Sequence, residues 1–238
     1  MAGPPPNKNK VIRAINALRL KRGFNKLKGN LAKLTGTMNA EQVIDFLFSP
    51  KGVLIVPWQF REEITQLAKT YEKLKPAVAM EIGTANGGTL FMHTKLAAKN
   101  AFIISLDLPG GRFGGGYPEW KEPIYRSFAK PGDRVELVRA DSHQQASLDK
   151  VKQLLNGRKL DYLFIDGDHT YEGVKKDFEM YSPLVKEKGI IAFHDISHHT
   201  VWTCDVDKFW NEIKTKYRFE EYLKTPPQGQ FGVGVLYL

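Results

Sequence analysis

Cysteine is almost missing from this chain: Cys204 stands alone among 238 residues, which excludes an intrachain disulfide and fits a reducing compartment. No apolar run approaches the roughly 20 residues of a membrane-spanning helix. The first residues, Met1 to Lys8, contain three prolines and no apolar signal segment, so a cytoplasmic location is expected. Acid is absent before Glu41. Residues 1–40 carry nine of the 35 basic residues, and the other 26 match the 26 acids in number. The net charge of +9 therefore belongs to the N-terminal segment. A nucleic-acid groove running over the whole protein is not expected from such a distribution.

What is present is two apolar runs that both end in acid and histidine. Tyr162-Leu163-Phe164-Ile165 leads into Asp166-Gly167-Asp168-His169, and Gly189-Ile190-Ile191-Ala192-Phe193 leads into His194-Asp195. One helix-length segment separates them, so they read as buried parallel strands of a βαβ unit. Ligands in open α/β sheets bind at the C-terminal strand edge. Asp166, Asp168, His169, His194 and Asp195 should therefore gather around one crevice, as metal ligands and proton acceptors.

Along the chain, residues 1–9 are Pro-rich and polar. From Val11, Ile12, Ile15, Leu18, Phe24, Leu27, Leu31 and Leu34 recur at helical spacing, interrupted at Gly23. This basic amphipathic stretch, residues 8–34, suits packing on its own domain, a partner subunit or an anionic membrane surface. Asn39 is positioned to cap a second helix, and residues 58–75 read as a third, ended by Pro76. Strands are expected over 77–82, 102–107, 134–138, 162–165 and 189–193, and helices over 89–99, 124–130, 147–156, 174–186 and 206–216. A hairpin-like strand pair, 219–223 and 231–237, closes the chain. The fold class is α/β: a doubly wound, mostly parallel, seven-stranded Rossmann-like sheet with the last strand antiparallel, plus N-terminal helices. The expected division is a basic helical extension (1–36), a helical cap (37–75) and a Rossmann-like core (76–238).

The first strand runs into Glu81-Ile82-Gly83-Thr84-Ala85-Asn86-Gly87-Gly88. Glycines at a strand–helix turn admit a ligand close to the backbone, and the helix start favours a carboxylate or phosphate. The turn departs from the dinucleotide pattern G-x-G-x-x-G, because Ala85 stands where the second glycine belongs. Asp107 ends the second strand about 20 residues later, the spacing of an acid that bonds ribose hydroxyls. Asp141-Ser142-His143 follows the third strand at the same edge, where Asp141 can meet an adenine amino group. For Asp107 and Asp141 a loop-capping role is the alternative. Leu108 to Trp120 combines glycines with aromatics and leaves the crevice as a flap or a rigid turn, making Arg112, Phe113, Tyr117 and Trp120 candidates for substrate contact. His198 and His199 fall at the rim, and His198 joins that candidate set.

With these motifs in this order, the chain resembles class I S-adenosylmethionine-dependent methyltransferases over about residues 55–238. It is most similar to the cephalosporin-hydroxylase-like and macrocin-type O-methyltransferases. The resemblance implies that Glu81, Gly83 and Asn86 line the methionine end of S-adenosylmethionine, with Asp107 at the ribose and Asp141 at the adenine. Thr84, Gly87, Ser142 and Asp166 complete that cofactor set. It also implies a divalent metal, Mg²⁺ first, held by Asp166 and the His194-Asp195 pair, with the base three residues after the strand-four acid, at His169. His194 departs from the family pattern, where an acid is usual, and an imidazole suits Mn²⁺, Fe²⁺ or Zn²⁺.

The expected activity is transfer of a methyl group to a small-molecule hydroxyl of a sugar, natural product or phenol. Such a hydroxyl needs a metal to lower its pKa, and a base to take its proton. A homo-oligomer is expected, and peripheral membrane attachment would run through residues 8–34. The rivals are a nucleotide-dependent oxidoreductase, a nucleic-acid methyltransferase using the basic segment, and a non-catalytic binding protein. Ala85 and the acid–histidine set oppose the first. The N/D-P-P-Y/F loop of many base methylases, absent here, opposes the second, and the intact acid set opposes the third.

Overall fold

A computed structural model describes residues 8–34, 37–113, 116–200, 203–225 and 229–238, with backbone alone for 8–17 and 19. Seven strands form one sheet: β1 (Val78–Ile82), β2 (Phe102–Asp107), β3 (Arg134–Arg139), β4 (Leu160–Ile165), β5 (Val185–His194), β6 (Arg218–Tyr222) and β7 (Val233–Tyr237). Their spatial order is β3-β2-β1-β4-β5-β7-β6. Neighbours from β3 to β5 pair in parallel, and β7 alone runs antiparallel, between β5 and β6. The chain order reverses between β1 and β4, which places a crevice at their C-terminal ends.

Strand alternation divides the core into two layers. Ala79, Ile103, Tyr162 and Phe164 face α1 (Lys8–Leu31), α2 (Ala40–Leu47), α3 (Arg61–Leu74) and α4 (Gly88–Leu96). Met80, Ile104, Leu163 and Phe193 face α6 (Gln145–Leu155), α7 (Tyr171–Tyr181) and α8 (Val206–Ile213). A short α5 (Glu122–Arg126) precedes β3. Asn39 caps α2 as expected, in a reciprocal capping box with Gln42.

Two expectations need correction. Gly23 does not interrupt the first helix, because α1 runs unbroken from Lys8 to Leu31. Its lack of a side chain serves packing: a Cβ there would meet a Leu54 methyl at 2.8 Å. Phe24, Leu27 and Leu31 are buried in the same core as α2 and α3, so the segment packs on its own domain along its second half. The side chains of Ile12, Ile15 and the basic residues before Leu18 lie outside the described residues. The second correction concerns the strand expected over 189–193. It starts at Val185, which pairs with Leu160, and α7 stops at Tyr181 because Pro183 cannot continue it. Among the described residues no helix is long and apolar enough to cross a membrane.

Candidate active site

The turn after β1 is held in a form that side chains resist. Gly83 has φ +91°, and a Cβ there would lie 1.9 Å from the Asp166 carbonyl oxygen. Gly87, at φ +84°, precedes α4 under the Tyr125 ring, and the Tyr125 hydroxyl donates to the Ala85 carbonyl at 2.9 Å. Thr84 shares a buried hydroxyl contact with Ser105. Asp107 is buried beside this turn, where the Thr84, Ala85 and Leu108 backbone N–H groups point at its carboxyl. Burial, reinforced by the negative charge of Glu81, still pushes its pKa up to about 6.

Asp107 faces a cavity of about 200 Å³ whose walls include Gly83, Asp141, Ser142, His143 and Asp168. Asp141 accepts from the His143 backbone N–H and the Gln144 side chain, so it also caps its own loop. The Gln144 bond leads the causes that hold its pKa below the usual range. The Ser142 carbonyl accepts from the Tyr181 hydroxyl. A larger cavity of about 540 Å³ adjoins this one, sharing Gly83, Ala85, Arg112, Phe113 and Asp166.

At that junction the strand-end acids and histidines converge. His194 Nδ1 lies 3.0 Å from Asp166 Oδ1 and 3.4 Å from Asp195 Oδ2. His169 bridges the same acids, with Nδ1 3.2 Å from Asp195 Oδ2 and Nε2 3.5 Å from Asp166 Oδ1. Phe113 stacks on the His169 ring at 4.8 Å and closes it from the flap side. Gln59 donates to Asp166 Oδ2, and His199 Nε2 lies 3.0 Å from Asp195 Oδ1. Asp195 takes φ +62°, in the left-handed region. Burial alone would raise both acids, but His194 and then its neighbours outweigh it and hold Asp166 and Asp195 low. Burial opposes the charged form of His194 and His169 as well, yet the facing carboxylates raise both imidazoles. Asp166, His194 and Asp195 bring one ligand atom each within 4.8 Å of one another, and His169, Asp195 and Cys204 do the same.

The sequence profile of a methyltransferase-domain family matches residues 80–196, from β1 through the Asp195 loop. An uncharacterized protein of Acanthamoeba polyphaga mimivirus is 31% identical over 163 residues, 67% of this chain and 68% of that protein. The chain belongs to this methyltransferase-domain family. The O-methyltransferase from Bacillus cereus, solved in complex with SAH, has a similar fold. Its TM-score is 0.53 at 17% identity, over 87% of this chain and 93% of that one. Cofactor-bound Rv0187 from MTB gives a TM-score of 0.56 at 13% identity, over 100% and 98% of the two chains.

Within this methyltransferase several expected site residues lie elsewhere. Glu81 lines neither cavity: strand alternation turns it into the α3–α4 layer, fully buried, with His93 Nδ1 at 3.2 Å. Tyr117 is buried against Tyr125 and beneath Arg139, not at the crevice. Trp120 packs edge-on against Phe24 of α1 and lines a separate surface cavity with Leu20 and Lys121. His198 is exposed and pairs with Asp207. Arg112 and Phe113 do border both cavities, as do Gly83 and Asp166; Thr84 and Asn86 line the larger one. Gly87 lines neither and shapes the helix start.

No sequence motif marks Gln59, Trp58 or Phe231, yet all line the larger cavity. They come from the loop before α3 and the turn before β7, far in sequence from the strand-end motifs. Buried polar Gln59 followed by Phe60 and Arg61 carries no motif, and a single aromatic such as Phe231 reads as core.

Proposed function

We propose that this methyltransferase moves a methyl group to a hydroxyl oxygen of a small molecule, with a divalent metal at Asp166, His194 and Asp195. The observation that carries the reading is the convergence of two carboxylates and two imidazoles at the junction of two cavities. S-adenosylmethionine fits the smaller cavity with its ribose at Asp107 and adenine near Asp141, and its methyl end toward Asp166. The acceptor then occupies the larger cavity, whose walls include Trp58, Phe113 and Phe231, a lining suited to a flat or apolar body.

The donor set fits a divalent ion: two acids held ionised and one imidazole nitrogen, His194 Nδ1, that faces both. When bound, such an ion lowers the pKa of a coordinated hydroxyl and fixes its position. The remaining work falls to the chain. His169 holds Asp195 at Nδ1, 3.2 Å, and its Nε2 contact to Asp166 is the looser one, 3.5 Å; once Asp166 serves an ion, Nε2 would be released to take the acceptor proton, and Asp195 stabilises the imidazolium that results. Gln59 orients Asp166, leaving its Oδ1 toward the imidazoles. Phe113 shields His169 and, with Phe231 stacked on His194 at 5.5 Å, keeps water from the reacting oxygen.

The test is methyl transfer from labelled S-adenosylmethionine to a panel of hydroxylated sugars, polyketides and phenols, with and without exhaustive chelation. Transfer to at least one acceptor that is lost on chelation and restored by added metal supports the reading. Full transfer after chelation, with no metal in the protein, removes the metal role and leaves the histidines to act alone.

A further inference from the structure

The carboxylate oxygens and the imidazole nitrogen at the junction, in hydrogen-bond and ion-pair contact with one another, stand at distances that one ion could also span. For ligand bonds of about 2.1 Å, neighbouring donors stand about 3.0 Å apart at right angles and about 3.4 Å apart in a tetrahedron. His194 Nδ1 lies 3.0 Å from Asp166 Oδ1 and 3.4 Å from Asp195 Oδ2. The imidazole is 4% exposed and ends β5, whose pairing with β4 and β7 fixes where the ring stands. Phe231 stacks on its face, so the ring has little room to swing away.

We infer that His194 Nδ1 is a direct ligand and that this site selects a first-row transition ion over Mg²⁺. The inference rests on the metal reading proposed above and adds the class of ion. Mg²⁺ favours oxygen donors and keeps several waters, whereas imidazole favours Mn²⁺, Fe²⁺, Co²⁺ and Zn²⁺. The surroundings are nitrogen- and sulfur-rich for so small a volume: His169 borders both acids, and the Cys204 sulfur lies within 4.8 Å of donor atoms of His169 and Asp195. An oxygen-only Mg²⁺ site has no use for these neighbours; an ion that accepts nitrogen does.

The full chain, stripped by chelation and dialysed, is titrated calorimetrically with Mg²⁺, Mn²⁺ and Zn²⁺ one at a time. Mn²⁺-loaded protein is then studied by pulsed electron paramagnetic resonance for nitrogen coupled directly to the ion. The expected result is a directly bound nitrogen and an affinity for Mn²⁺ at least about tenfold above that for Mg²⁺. His194→Asp restores an all-oxygen set, so it should abolish the nitrogen coupling and narrow the Mn²⁺-to-Mg²⁺ ratio by about tenfold. His194→Gln serves as a second variant, and for both the circular dichroism spectrum reports folding. Mn²⁺ binding without nitrogen coupling in the unmodified chain overturns this inference while leaving a metal role standing. Coupling that survives both variants also overturns it, by assigning the nitrogen to His169. No binding of any of the three ions overturns the inference and the metal reading together.

Discussion

Two buried groups of acid and histidine lie close together in this sheet, and their surroundings differ. Glu81 and His93 face each other at 3.2 Å with no exposure at all, enclosed by Tyr71, Tyr162 and Phe164. Asp166, Asp195, His194 and His169 are equally close to one another but open onto two cavities. Pairing by itself therefore does not mark a site. Access does: the first group has room only for its own members, while the second offers donor atoms to a ligand. The sealed pair reaches the site only through its field, since Glu81 is among the causes that raise Asp107.

Substitution should separate the two groups. The largest effect is expected at the open cluster: Asp166→Asn should cut methyl transfer by 100-fold or more, because loss of even an outer partner of a metal ligand costs about 10–100-fold. Its melting temperature should change far less than its rate. An unchanged rate in single-turnover assays would remove Asp166 from the chemistry. In the sealed pair, His93→Ala should lower stability by about 3–5 kcal/mol, the cost of leaving a buried charge unpaired. Urea unfolding measures this, and metal affinity of the folded protein should stay as it was. A loss below 1 kcal/mol would mean that the Glu81–His93 contact contributes little to folding.

Acidity links the two groups and gives a third test. In the role proposed for it, Asp107 accepts from ribose hydroxyls far better as a carboxylate than as an acid, and burial raises its pKa in the free protein to about 6. Cofactor affinity should thus be flat above pH 7 and fall by about tenfold per unit below about pH 5.5. The sign for folding is the reverse. A raised carboxyl pKa means the native state binds the proton more tightly than the unfolded chain. The resulting penalty is present above about pH 6 and is relieved as pH falls toward about 4. Glu81→Gln removes one cause of the rise, so the acid limb of cofactor binding should move to lower pH in calorimetry across pH 5–8. A limb that stays in place would mean that burial alone sets Asp107. The smallest effect is expected from Phe113→Ala, which uncovers His169: about 0.5–1.5 kcal/mol of ring packing, or a several-fold fall in kcat with cofactor affinity kept.

Much of this was legible in the order of residues. Continuous apolar runs ending in Asp166 and His194 disclose two central strands, and the helix between them forces a parallel pairing whose ends must meet. The glycines around Thr84 and the acid at Asp107 follow the same logic. What failed did so for identifiable reasons. In sequence Val185 looks helical, because Lys186 to Lys188 resemble a solvated helical face; only the pairing with Leu160 makes it strand. Glu81 sits at a familiar motif position, but strand alternation turns it away from the crevice. Tyr117 and Trp120 share a glycine-rich loop with Phe113, and sequence cannot say which aromatic of a loop faces inward. Gln59 and Phe231 reach the site through tertiary packing, for which no local pattern exists.

The contact between Gly83 and Asp166 has a consequence for how the two cavities communicate. The Asp166 N–H donates to the Ile82 carbonyl at 2.8 Å, and the Asp166 carbonyl presses on Gly83 so closely that no side chain fits. The glycine turn and the first acid of the cluster are thus joined by one backbone hydrogen bond and one close backbone contact. On the function proposed above, a cofactor that shifts the turn would press on the Asp166 backbone, and the free energy of that motion would enter both binding events. Linkage is reciprocal, so a cofactor that tightens ion binding must itself be held more tightly, by the same factor, once the ion is present.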